Sequence, residues 1–175
     1  MKKLLPILLI LQIFCIASFA QESTATLDET LSWLKQKTVE STVPSFNPGG
    51  EMTLRNKSAL FEGCFMSLTS VLTYKGDNVF RSEVSLSDLD ETSIVVKSDR
   101  VASSGYKDPV WTVETWVKNK ARLVKSVDEK FAAYPELQDH YNSIAITGFA
   151  VKEMANRYSK ALSHAIKLCK QKEPF

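Results

Sequence analysis

Two hydrophobic periods divide the chain. In residues 26–39, TLDETLSWLKQKTV, Leu27, Leu31 and Leu34 recur at i, i+4 and i+7, the narrow stripe of an amphipathic helix, with Trp33 beside it. Thr26 followed by Glu29 three residues later forms a capping box at the start of that helix. The stretch STVPSFNPGG, residues 41–50, ends it in a Pro/Gly/Ser-rich linker. From about residue 51 to 149 the period drops to two. In CFMSLTSVLTY, Cys64, Met66, Leu68, Leu72 and Tyr74 share one face, with Ser70 among them. Phe65, Ser67, Thr69, Val71 and Thr73 take the more polar face. The turn residues KGDN then predict a hairpin with NVFRSEVSL, where Phe80, Val84 and Leu86 lie opposite Arg81 and Glu83.

Further strands are predicted at SIVVK, VWTVETWV, ARLVKSV and NSIAITGF. In VWTVETWV, Trp111, Val113 and Val117 alternate with Thr112, Glu114 and Trp116. SDLDE and SSGYKDP break the pattern as loops, and DEKFAAYPELQDHYN is a polar connection with room for a helical turn. Residues 150–170 return to helical spacing: Val151, Met154, Ala155, Tyr158, Leu162, Ala165, Ile166 and Cys169 follow the 3,4 rhythm of a buried face. Lys167 and Lys170 suit the negative end of that helix. One helix, about seven antiparallel strands in a barrel or bent sheet, and a long final helix packed on it make an α+β fold rather than a βαβ one.

The first twenty residues belong to neither pattern. MKKLLPILLILQIFCIASFA has two lysines, an apolar run and small residues Ser18 and Ala20 at the −3 and −1 positions before Gln21, which reads as a secretory signal peptide cleaved between Ala20 and Gln21. A retained anchor is the alternative, but the run from Leu4 is only about 17 residues, the short edge of a membrane span. It is interrupted by Pro6 and Gln12, and no basic cluster follows it. Phe14 before Cys15 argues against a lipoprotein signal. The expected organisation is a leader over 1–20, the helix and linker over 21–50, and the sheet with its closing helix over 51–175, the last two parts forming one domain. No membrane span is expected once the leader is removed.

Export changes the reading of the cysteines. Cys15 leaves with the leader, and the remaining pair, Cys64 and Cys169, reads as one disulfide in an oxidising compartment; two separate buried thiols are the alternative. Cys169 lies on the buried stripe of the closing helix and Cys64 on the more apolar face of its strand, so a bridge would staple helix to sheet. Charge changes the list of partners. The chain carries 22 basic and 20 acidic residues. Removing Lys2 and Lys3 leaves a formally neutral protein, which argues against nucleic acid, whose binding rests on phosphate neutralisation.

TLDETLSWLKQK, FEGC, VSLSDLD and KALSHAIKLCKQKEPF together resemble uncharacterised exported bacterial proteins. The order of strands and final helix resembles the pleckstrin-homology-like (PH-like) split barrel. The resemblance implies a bent barrel of seven strands with a C-terminal helix at one open end, and it implies no activity. Phosphoinositide-binding members of that family carry basic residues on the first two strands. Here Arg55 and Lys57 stand near the first turn, while residues 64–74 contain no Arg or Lys.

The candidate chemistry is sparse. His140 and His164 have no second ligand at zinc spacing. Ser103 and Ser104 precede Gly105 without a nucleophile-elbow motif. Asp88, Asp90 and Glu91 form an acidic cluster without the glycine and spacing of a calcium loop, and turn chemistry explains them better. Asn56-Lys57-Ser58 matches a glycosylation sequon by chance. Trp116 shares its face with Thr112 and Glu114, and a tryptophan on a polar face is a candidate contact for a partner, unless it packs beneath the first helix near Leu31 or Trp33. The expectation is an exported, non-enzymatic module that needs no cofactor and binds a protein or a small apolar ligand. A small-molecule or lipid carrier using the barrel interior is the alternative, and a hydrolase with an unrecognised site a distant third.

Overall fold

The computed structural model describes residues 25–40, 42–46, 52–99, 109–134 and 138–172. The leader with its Ala20/Gln21 cleavage site, and Ser103 and Ser104, lie outside the described residues. Helix α1 runs Leu27–Glu40 and helix α2 runs Lys152–Lys172. Between them, the described residues form nine strands: β1 (Ser45–Phe46), β2 (Thr53–Glu62), β3 (Phe65–Thr73), β4 (Asp77–Ser85), β5 (Val95–Asp99), β6 (Val110–Trp116), β7 (Val124–Asp128), β8 (Asp139–Tyr141) and β9 (Ser143–Phe149). The fold is α+β, with every named strand pair antiparallel. The strands divide into a six-stranded sheet ordered β1-β2-β3-β4-β7-β8 and a three-stranded sheet ordered β5-β6-β9.

Helix α1 starts as the capping box requires. Thr26 N–H donates to Glu29 Oε2 at 2.8 Å, and Glu29 N–H donates back to Thr26 Oγ1 at 3.3 Å. Its inner face is wider than the leucine stripe, because Thr30 and Thr38 are buried with Leu27, Leu31 and Leu34. Both threonines return their hydroxyl hydrogens to the carbonyl one turn back, Thr30 to Thr26 and Thr38 to Leu34, each at 2.8 Å. A polar side chain can thus be buried without an unmet donor.

The β3–β4 hairpin turns at Lys75 and Gly76, both at positive φ. Its register keeps Met66, Leu68 and Val84 on the core face. The predicted apolar face does not extend along the whole of β3. Tyr74 is exposed, Leu72 only half-buried, and Val71 on the opposite face is buried. There Val71 pairs with Val79, and Arg81 pairs with the buried Val127, so the far half of the hairpin buries its other side. Among the described residues, the connection at 128–142 contains a helical turn, Glu129–Phe131, and strand β8. The linker contributes β1, and Val43 N–H donates to Gly148 O at 2.7 Å.

The two sheets meet at β2 and β9. β2 carries an irregularity between Asn56 and Ser58. Asn56 Nδ2 reaches across to the Thr147 carbonyl at 2.8 Å, so the sequon asparagine is engaged inside the molecule. Both helices and both sheets enclose one core. Leu34, Leu86, Leu89, Val113, Phe149, Ala155, Tyr158, Leu162, Ala165, Ile166 and Cys169 are all fully buried. From Ala155 onward the predicted stripe of α2 faces this core. Val151, predicted as its first member, precedes the helix and is 54% exposed. Tyr158 fills the centre, with Phe149 at 5.1 Å and Trp33 at 6.2 Å between ring centroids.

Candidate functional site

Cys64 and Cys169 are bridged, with their Cα atoms 5.5 Å apart and 105 residues of sequence separating them. The bridge joins the β2–β3 turn to the last turns of α2. Beside it, Leu86 N–H donates to Cys64 O at 2.7 Å, and Lys170 Nζ lies 2.6 Å from Glu91 Oε2. These contacts hold the C-terminal part of α2 against the sheet and so fix how α2 lies beside α1.

Where the two helices run together they leave a groove of about 450 Å³, open to solvent. Its α2 wall is built from Arg157, Lys160, Ala161 and His164, at i, i+3, i+4 and i+7 on one helix face. Its α1 wall is Glu29, Thr30 and Trp33. Trp33 forms an aromatic surface, packed on Tyr158, with the Arg157 guanidinium over its ring at 5.7 Å from the centroid.

The charges around this surface are unequally satisfied. Glu29, the acid on the wall, is committed to the helix cap. It accepts from both Thr26 N–H and Thr26 Oγ1 at 2.8 Å, and these bonds hold its carboxyl below the usual glutamate range. His164 Nε2 lies 2.9 Å from the Ala25 carbonyl. A carbonyl only accepts, so Nε2 carries a hydrogen and Nδ1 is left for another partner. Arg157 and Lys160 are exposed, and among the described residues neither forms an ion pair. The groove therefore offers an aromatic floor and two cations without an ion-pair partner among the described residues, one of which, Arg157, lies over the indole.

Trp116 is half-buried on the outer face of the small sheet. It is opposite Ser143, and Val95, Glu114 and Ala145 are on the same face. Its backbone is committed: N–H donates to Ser93 Oγ at 3.0 Å, and the carbonyl accepts from Asp90 N–H at 2.8 Å. The aromatic partner of Trp33 is Tyr158, and Trp116 is not among the side chains packed on the core.

The remaining candidates serve the fold. Asp90 accepts from Thr92 N–H at 2.9 Å and Thr92 Oγ1 at 2.7 Å, and these bonds hold its carboxyl low; Glu91 pairs with Lys170. Among the described residues no three His, Cys, Asp or Glu side chains gather as metal ligands. His140 is exposed on β8, where its carbonyl accepts from Arg122 Nε at 2.7 Å. Among the described residues no helix is long and apolar enough to cross a membrane. Burial pushes the Tyr158 hydroxyl well above the usual tyrosine range. The groove itself escaped sequence reasoning. Trp33 was visible only as a residue beside a stripe, and His164 only as a histidine with no second ligand at zinc spacing. A signal was present in the i, i+3, i+7 spacing of Arg157, Lys160 and His164, but nothing local says that this face lies against Trp33. The chain matches no family model, no curated protein and no solved structure.

Proposed function

We propose that the protein is a non-catalytic binding module whose site is the groove between α1 and α2. One observation carries the reading: an open, aromatic-floored concavity is bordered by two cations that form no ion pair among the described residues. Cofactor and ligand sites are typically concave, mainly apolar and equipped with a few polar groups. The filled interior supports a surface site over a carrier cavity, since Tyr158, Phe149, Met66 and Ile166 occupy the space between sheets and helices. The bridge between Cys64 and Cys169 supports export to an oxidising compartment. Two antiparallel sheets closed by a C-terminal helix support the PH-like resemblance.

Amide and indole shift mapping by NMR with a mixed library of small fragments tests the site. Shifts should cluster on the Trp33 indole N–H and on Ala161. A cluster centred on Trp116, Val95 and Ala145 would move the site to the outer face of the small sheet and contradict the reading.

A further inference from the structure

We infer that the ligand is a small amphipathic anion: an alkyl or aryl body lying on Trp33 and Ala161, with a carboxylate at its end between Arg157 and Lys160. The inference rests on the groove being the binding site and adds the chemistry of its occupant.

The charge pattern sets both the sign and the polarity. Arg157 and Lys160 are one turn apart on α2, so their head groups flank the same stretch of groove. Glu29, on the facing α1 wall, stays ionised while its Oε2 is bonded to Thr26, and Arg157 and Lys160 together outnumber that one negative charge on the lining. The other acids at the helix junction, Glu40 and Glu153, border a separate hollow on the far side of Arg157. Arg157 therefore divides a cationic end, towards Lys160, from an acidic end, towards Glu40 and Glu153, that repels an anion. A cationic ligand would meet like charge from Arg157 and Lys160 along the Trp33 surface.

The floor argues for an apolar body. Trp33 and Ala161 present carbon to the groove, and the groove's volume is within the range that small-molecule sites use. A bare inorganic anion would leave the indole surface wet. A neutral hydrocarbon would leave two cations facing it without compensation. A planar carboxylate matches the fork of a guanidinium, and its second oxygen is open to an ammonium.

The test is a matched series with one chain length: octanoate, octanol and octylammonium, titrated calorimetrically and by NMR at the Trp33 indole. Octanoate should bind and move the Trp33 indole and Ala161 signals. Arg157→Gln with Lys160→Gln should weaken octanoate roughly tenfold or more, the scale of losing charge-assisted bonds. The double variant should leave octanol unchanged, and its circular dichroism should match wild type because both side chains are exposed. Octanol or octylammonium binding at the groove as tightly as octanoate would overturn the anion while leaving the groove as the site. Octanoate failing to move the groove signals at millimolar concentration would overturn the inference itself. The fragment mapping described above then decides separately whether the groove binds anything else.

Discussion

Tyr158 donates its hydroxyl hydrogen to Thr38 Oγ1 across 2.7 Å in the centre of the core, joining the two helices that form the groove. The direction follows from hydrogen counting. Thr38 has one hydroxyl hydrogen and gives it to the Leu34 carbonyl, so towards Tyr158 it can only accept. The two partners are therefore not equivalent. Tyr158→Phe removes one bond and leaves Thr38 satisfied, an expected cost of about 0.5–1.5 kcal/mol. Thr38→Val strands the Tyr158 hydroxyl in the core, an expected cost of about 1–3 kcal/mol. Denaturant unfolding of both variants and the double variant should show Thr38→Val as the costlier single change, and the double variant should cost less than the sum. Equal costs with full additivity would contradict the assigned direction.

The same residue predicts a response to alkali. Burial raises the folded-state pKa of Tyr158, while the unfolded chain titrates near the ordinary tyrosine value of about 10. The folded state thus holds its proton where the unfolded state releases it. This contribution to stability is fully present below about pH 10 and is lost as pH rises towards the folded pKa. Stability measured from pH 9 upward should fall more steeply for wild type than for Tyr158→Phe. Parallel curves would show that the buried phenol does not report on unfolding.

Reduction of the Cys64–Cys169 bridge should lower the melting temperature and leave the domain folded, because the two-sheet core does not depend on the link for its burial. A closed loop of this length has a nominal entropic value of about 4–5 kcal/mol. Cys169→Ala and the double variant should cost nearly the same, and Cys64→Ala slightly less, since each removes the one covalent link. Cys169→Ala adds a small packing loss, because Cys169 is fully buried and Cys64 is not. Rapid maleimide labelling of both thiols in the folded, unreduced protein would contradict the bridge.

Gly148 has φ of +95°, and a Cβ there would collide with the Val43 carbonyl and lie 3.2 Å from Thr42 Cβ. The linker is pinned here by the Val43–Gly148 hydrogen bond and the Thr42–Phe149 bridge. Gly148→Ala should destabilise by about 1–3 kcal/mol from backbone conformation alone, with the clash added. Hydrogen exchange should locate the loosening at Thr42, Val43 and β9. An unchanged melting temperature would mean that the linker does not pack against β9.

What the sequence revealed and what it hid follow from the range of the forces involved. The capping box of Thr26 and Glu29, the hairpin around Lys75 and Gly76, and the stripe from Ala155 to Cys169 were legible because each is set by neighbours within a few residues. The pairing of Cys64 with Cys169 was legible because both fell on apolar faces and Cys15, the third cysteine, falls in the segment that reads as a leader. The burial of Val71 in place of Tyr74 was not legible, because strand parity does not say where along a strand the core ends. Thr30 and Thr38 read as polar, yet local bonds to their own helix let them face inward. The groove was hidden for a stronger reason: Trp33 and Arg157 come from opposite ends of the domain, and only the packing of α1 on α2 brings them together.

The groove and its occupant are tested most directly by filling it. Ala161 lines the open groove and is half-buried, with its inner side packed against the core. Octanoate titrated into Ala161→Trp, followed at the Trp33 indole N–H, should produce at least a roughly tenfold loss of affinity relative to wild type, the scale of losing one well-packed contact surface. The melting temperature should stay within a few degrees of wild type, because the new ring occupies solvent-open volume rather than core. Octanoate binding to the filled variant with wild-type affinity would contradict the account and place the site elsewhere on the molecule.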